Sequence, residues 1–163
     1  MQKKIIYLIA LLLVGFIGYY FYQKYRVAPE LEVLELPLQN LQREVASLDK
    51  FKGSKTIVCF SASWCGPCRA ELKMLAELKQ STLKDVTVVV ISDERISEIQ
   101  TFMQAFPSSF EWLNLMQPFS AIGINSIPTA YLLNTKGNIV HKNVGFIDWE
   151  DPSTANYLLG LMK

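Results

Sequence analysis

Cys65 and Cys68 stand two residues apart in Ser63-Trp64-Cys65-Gly66-Pro67-Cys68-Arg69. Two thiols at this spacing can cycle between dithiol and disulfide, serve as half of a zinc site, or form a static crosslink. The flanks discriminate between these. Thr56-Ile57-Val58-Cys59-Phe60 is an apolar, β-branched run, and Arg69 to Lys79 alternates charged and apolar residues. That pattern predicts a strand, a short turn and a helix, with both cysteines at the helix N-terminus. Only a thiolate attacks a disulfide. The unpaired N–H groups and dipole of a helix start favour negative charge there. Cys65 is therefore expected to be the exposed attacking thiol. Cys68, one turn in and more buried, is the expected resolving thiol: it attacks the mixed disulfide on Cys65 and closes Cys65–Cys68. Gly66 permits the tight turn, and Pro67 suits the first helical position. A zinc site needs further ligands, and the chain offers only Cys59 and His141. The redox reading prevails, with no metal and no cofactor expected.

Glu71 lies three residues after Cys68, so both project from one helix face. Burial there would raise its pKa and let it pass a proton to or from a thiol. A solvated glutamate in the first turn is the plainer alternative.

The elements that must hold this site follow from the pattern. Thr56 to Ser61 is the central strand, and the unbroken run Val86 to Ser92 is a buried parallel strand. A helix over Glu94 to Phe106, capped by Ser92 or Asp93, is broken by Pro107-Ser108-Ser109. Phe110 to Leu113 is a short strand or loop, and Pro118 to Ile122 a short helix ending at Gly123. Thr129 to Leu133 and Ile139 to Val144 are strands joined by a turn at Asn134 to Asn138. Asp151-Pro152 starts the last helix. Leu36 to Leu48 fits a hairpin or a helix. His141 reads as a solvated residue on an outer strand.

The chain resembles the thioredoxin superfamily and, within it, the membrane-tethered TlpA/ResA-like thiol-disulfide oxidoreductases, over roughly residues 34 to 163. The resemblance rests on Trp64-Cys65-Gly66-Pro67-Cys68, on Cys68-Arg69-Ala70-Glu71 and on Ser126-Ile127-Pro128-Thr129. It implies an α/β thioredoxin fold, with a central mixed β-sheet flanked by helices and an N-terminal β-hairpin turning near Asn40 to Arg43. It implies a cis Pro128 facing the cysteines and an active-site role for Glu71. Trp64, Ile127 and Pro128 become the expected substrate-binding residues, the exposed Ile127 backbone pairing with an extended peptide in β fashion. Three positions depart from the families. Cys59 replaces a buried aspartate, Ser61 a tryptophan, and Lys73 a helix-kinking proline, which predicts a straighter helix. Cys59 reads as a small buried apolar residue, with a third redox partner as the sharper alternative.

Charge and hydropathy set the location. Ile5 to Tyr22 is an uncharged run of 18 residues, bounded by Lys3 and Lys4 before it and Lys24 and Arg26 after it. It is long enough to span a bilayer, carries interfacial tyrosines, and lacks the Ala-x-Ala pattern of a cleaved signal peptide. Residues 1–26 are thus expected to be a signal anchor, with a cleaved signal peptide as the rival reading, 27–35 an acidic tether and 36–163 the thioredoxin-like domain. Beyond Arg26 the chain carries 12 basic and 15 acidic side chains, a net of −3. No basic stripe points to nucleic acid. The positive-inside rule favours an N-terminus in the cytoplasm and a domain in the periplasm or its equivalent, and the resemblance implies a single-pass protein of the bacterial inner membrane.

The expected activity is thiol-disulfide exchange, favouring reduction of protein disulfides. Apocytochrome c is a substrate class found among relatives, and a transmembrane electron donor is implied as partner. The alternatives are an oxidant, or a tethered copper- or peptide-binding protein without redox turnover.

Overall fold

The apolar N-terminal block forms one helix, α1 (Gln2–Arg26), in the computed structural model, which describes residues 2–106 and 109–162. Met1 and the expected break at Pro107-Ser108 lie outside the described residues. The large apolar side chains of α1 from Ile5 to Tyr25 stand exposed rather than packed into the domain core. Its 25 residues reach roughly 37 Å, enough to cross a bilayer core.

The stretch expected to be an acidic tether packs onto the domain. Ala28, Val33 and Leu36 are buried against the sheet. The Tyr131 hydroxyl donates to the Pro29 carbonyl at 2.9 Å, and Lys142 pairs with Glu30. Gly123, at φ +78, passes so close to Pro29 that an added Cβ would lie 3.3 Å from the proline ring. Residues 28–36 are a strap across one sheet face, and only Val27 separates α1 from it.

Next come β1 (Leu38–Gln39) and β2 (Val45–Ala46), a hairpin. Asn40 Oδ1 closes its turn by accepting from the N–H groups of Gln42 and Glu44, both at 2.9 Å. The strands β3 (Lys55–Phe60), β4 (Val86–Ser92), β5 (Phe110–Leu115), β6 (Thr129–Leu133) and β7 (Ile139–Val144) complete one sheet in the order β2-β1-β5-β4-β3-β6-β7. β3 runs parallel to β4 and β4 to β5, and the remaining pairs are antiparallel. The helices are α2 (Gly66–Leu78), α3 (Ile96–Met103) and α4 (Pro152–Leu161).

The crossovers β3-α2-β4 and β4-α3-β5 step the sheet in the same direction. Right-handed connections therefore put α2 and α3 on one face. Side-chain alternation agrees. Ile57, Cys59, Val88 and Val90 pack against Leu72, Leu75, Ile99 and Leu158 of the three helices. Val58, Phe60, Val89 and Ile91 face the other way, under Ala28, Val33 and Phe119. The architecture is the thioredoxin fold with mixed sheet, flanking helices and hairpin extension.

Several boundaries shift for local reasons. α3 starts at Ile96, two residues later than expected. Asp93 is occupied accepting from the Phe119 N–H at 2.9 Å, and Glu98 accepts from the Arg95 N–H at 3.0 Å. β5 is a full strand because Asn114, polar within an apolar run, finds the carbonyls of Ser92 and Glu94. His141 is half-buried, and burial holds its pKa below the usual value.

Candidate active site

β3, an interior strand between β4 and β6, delivers the chain to the C-terminal end of the parallel strands, and the loop from Ser61 turns it into α2. Cys65 is the N-cap of that helix and Pro67 sits in its first turn. Cys65 and Cys68 are joined, with S–S 2.00 Å and Cα–Cα 5.3 Å. The Cys68 N–H points at Cys65 Sγ, 3.2 Å away, so a backbone donor of the helix start is already aimed at that sulfur. α2 runs unbroken through Lys73.

Cys65 is less open than expected, while Cys68 is the more buried of the two, as its place one turn in implies. Cys65 is only 5% exposed and Cys68 1%. Ala62 and Ile127 pack over them. The Ile127 carbonyl oxygen lies 3.9 Å from Cys65 Sγ, and the Ile127–Pro128 peptide is cis. Two bonds hold this loop: Thr129 Oγ1 donates to the Ser126 carbonyl at 2.7 Å, and the Gly145 N–H to the Pro128 carbonyl at 2.8 Å. Trp64 is 75% exposed. It stands between two open grooves, one beside Arg69 and Thr101, the other beside Ile127 and Ile124.

Glu71 is 2% exposed. Its carboxylate accepts from the Ile147 N–H at 3.2 Å and from Trp149 Nε1 at 3.3 Å. Burial pushes its pKa up to about 7, against the two hydrogen bonds, which pull it down. Cys59 faces the same helix from β3, fully buried. Burial raises its thiol pKa well above the usual value, and the charge of Glu71 adds to this. Cys59 therefore stays protonated at neutral pH.

Three contributors, in two arrangements, escaped the sequence reading. Trp149 and Ile147 hold Glu71 from 78 and 76 residues away. Glu94, expected inside a helix, anchors the active-site loop instead. Its carboxylate accepts from the Ser63 N–H at 2.7 Å, Ser63 Oγ at 2.6 Å and Ser92 Oγ at 3.1 Å. No local pattern marks either arrangement. Glu94→Ala strands a buried-side backbone donor and two hydroxyls, so a stability loss of about 1–3 kcal/mol is expected. Chemical unfolding of the full chain in detergent measures it. A loss below about 0.5 kcal/mol would mean that water replaces the carboxylate without cost.

A family model described as Redoxin matches residues 26–159. The thioredoxin-like protein YneN of Bacillus subtilis is 28% identical over 156 residues, which cover 89% of this chain and 91% of that protein. The thiol-disulfide oxidoreductase ResA of Geobacillus thermodenitrificans is 24% identical over 153 residues, 88% of this chain and 87% of that one. The crystal structure of StoA from Bacillus subtilis superposes with a TM-score of 0.58 at 26% identity, covering 83% of this chain and all of that one.

Proposed function

This chain belongs to the Redoxin family and is a thiol-disulfide oxidoreductase of thioredoxin fold; from that premise we propose that it is a membrane-anchored reductase of protein disulfides working outside the cytoplasm. The observation that carries this reading is the Cys65–Cys68 disulfide at the start of α2, with a backbone donor on Cys65 Sγ and the Ile127 carbonyl beside it.

The cycle starts from the reduced dithiol. The Cys65 thiolate attacks one sulfur of a substrate disulfide, forming a mixed disulfide and releasing the other sulfur as a thiolate, which takes a proton from water. Cys68 gives its proton to the Glu71 carboxylate and attacks Cys65 Sγ. The second substrate sulfur leaves and receives that proton. Two electrons pass to the substrate, and Cys65–Cys68 closes. Ile127 and the turn at Pro128 offer backbone groups with which an extended substrate pairs, and Trp64 supplies an apolar wall.

Two features support the finer points. α1 is long and apolar, its basic and aromatic ends suit a bilayer interface, and its apolar side chains stand exposed rather than packed into the domain core. Gly66-Pro67 between the cysteines is the dipeptide of reducing thioredoxins, near about −270 mV. A reductase in an oxidising compartment must be recharged, so each turnover draws two electrons from a partner that carries them across the membrane. Apocytochrome c thiols are one substrate class compatible with this chemistry.

The test is the reduction potential of Cys65–Cys68 in the full chain, equilibrated with defined thiol buffers in detergent. A value at or below roughly −230 mV is expected. A value above about −150 mV would make the protein an oxidant.

A further inference from the structure

The groove on the Ile127 side of Trp64, about 410 Å³, has an unexpected wall. Lys24 and Tyr25, from the last turn of α1, line it together with Trp64, Ile124 and Ile127. The strap explains why. Ala28 is already buried, Pro29 is held by Tyr131 and Gly123, and Glu30 pairs with Lys142. Two residue steps separate Arg26, the end of α1, from Ala28, a span of at most about 7 Å. The domain therefore has almost no slack relative to its helix. The end of α1 that carries Lys24, Tyr25 and Arg26 is also the end that belongs at the head groups.

The exposed surface at the site fits such a position. Trp64 and Phe146 are large exposed hydrophobics. Phe146 follows Gly145, whose N–H is bonded to the Pro128 carbonyl, so its backbone lies next to the proline loop. Aromatic side chains of this kind favour the membrane–water interface.

We propose that Lys24 and Tyr25 complete the substrate groove and that the dithiol is held at the membrane surface, so that this enzyme selects disulfides in juxtamembrane segments of membrane proteins over those of freely diffusing proteins. The inference rests on reading α1 as a membrane span. An extended segment pairing with the Ile127 backbone runs along the head-group layer, beneath Tyr25 and past the Lys24 ammonium. Lys24 and Tyr25 thus contribute to substrate binding, and the short link to α1 sets the preference. The exchange is the two-electron transfer described above, from the Cys65/Cys68 dithiol to the substrate disulfide.

The experiment uses the pre-reduced full chain in phosphatidylcholine–phosphatidylglycerol vesicles, with no external thiol, and single-turnover rates. The probes are two synthetic single-span peptides carrying the same disulfide loop. One bears it directly outside the bilayer. The other bears it beyond a Gly-Ser spacer of about 30 residues, roughly 30 Å in r.m.s. reach. A soluble peptide with the same loop is the control. The membrane-proximal disulfide is expected to be reduced about tenfold faster than the spaced one, through higher effective concentration at the site. A Gly-Ser insertion of about 12 residues between Arg26 and Val27, adding roughly 19 Å of reach, is expected to bring that ratio close to one. K24A/Y25A, which removes one wall of the groove, is expected to slow all three probes while keeping the parent ratio between the two membrane probes, and parent rates on every probe would remove the α1 residues from the groove. Reduction of the soluble peptide by the insertion variant is expected to fall no further than in K24A/Y25A, and near-UV circular dichroism matching the parent reports that the domain remains folded. A ratio near one in the parent chain, or an insertion variant with the parent ratio, would overturn the proposal while leaving anchoring intact. Extraction of the chain from the vesicles by alkaline carbonate would overturn anchoring and this proposal together.

Discussion

In Cys68→Ser, turnover is expected to fall by at least about 10³-fold, and the enzyme is expected to accumulate as a covalent adduct with its substrate. The attack by Cys65 does not need Cys68, so the mixed disulfide still forms. Its resolution does. Cys68 sits with its Cα 5.3 Å from that of Cys65, on the same rigid helix, and attacks as a unimolecular step. An outside thiol must instead diffuse into a site where the cysteine is 5% exposed and roofed by Ile127. Cys65→Ser is expected to lose turnover equally but to trap nothing, because a hydroxyl does not attack a disulfide. Mass spectrometry of each variant after mixing with a disulfide peptide reads the difference. The asymmetry is the diagnostic feature. Cys65 receives the Cys68 N–H and faces the Ile127 carbonyl, whereas Cys68 lies deeper. An adduct on Cys65→Ser and none on Cys68→Ser would reverse the two assignments.

What the sequence makes legible here is local. The run Val86 to Ser92 and the cysteine motif with its flanks each declare their element within a few residues, because a strand period or a helix start is a short-range property. The strap is long-range. Ala28, Val33 and Leu36 show no period, and an acidic, proline-started stretch looks solvated until Tyr131 and Gly123 are brought beneath it. The same is true of Glu94. A carboxylate just after the Ser92-Asp93 cap pair resembles the first turn of a helix, and only the fold reveals that Ser63 needs it. The closing of Cys65 by Ile127 is likewise a contact across 62 residues. Spacing puts Glu71 on the face of Cys68 but carries no information on how deeply Trp149 buries it.

That burial makes Glu71 the site of the second large effect. Glu71→Gln is expected to slow the resolving step by about 10²-fold near pH 7–8, the usual size of a positioned proton acceptor. The Cys68 thiol must lose its proton before it attacks. A carboxylate with its pKa near 7, one turn along the same helix, is ionised often enough to accept it and basic enough to hold it. The rate of resolution should rise with pH through about 7 in the parent chain, and this inflection should vanish in Glu71→Gln. Trp149→Phe removes one donor from the carboxylate, so the inflection should move upward, whereas a purely structural role for Trp149 would leave it in place. Stability carries the same signature with a definite sign. Unfolding returns Glu71 from about 7 to its ordinary 4.5, so the folded state holds the proton more tightly. The favourable contribution is complete below about pH 4.5 and is lost as pH rises to about 7, a change of about 3 kcal/mol. Glu71→Gln abolishes that slope. It also turns an amide NH2 toward one of two donors and forfeits about 1–2 kcal/mol. At pH 8 the variant should therefore be the more stable protein, by about 1–2 kcal/mol, and the slower enzyme. Denaturant unfolding at several pH values, paired with stopped-flow single turnovers, reads both quantities. A variant that matches the parent rate and keeps the inflection near pH 7 would remove Glu71 from the proton path and leave its burial to be explained by packing alone.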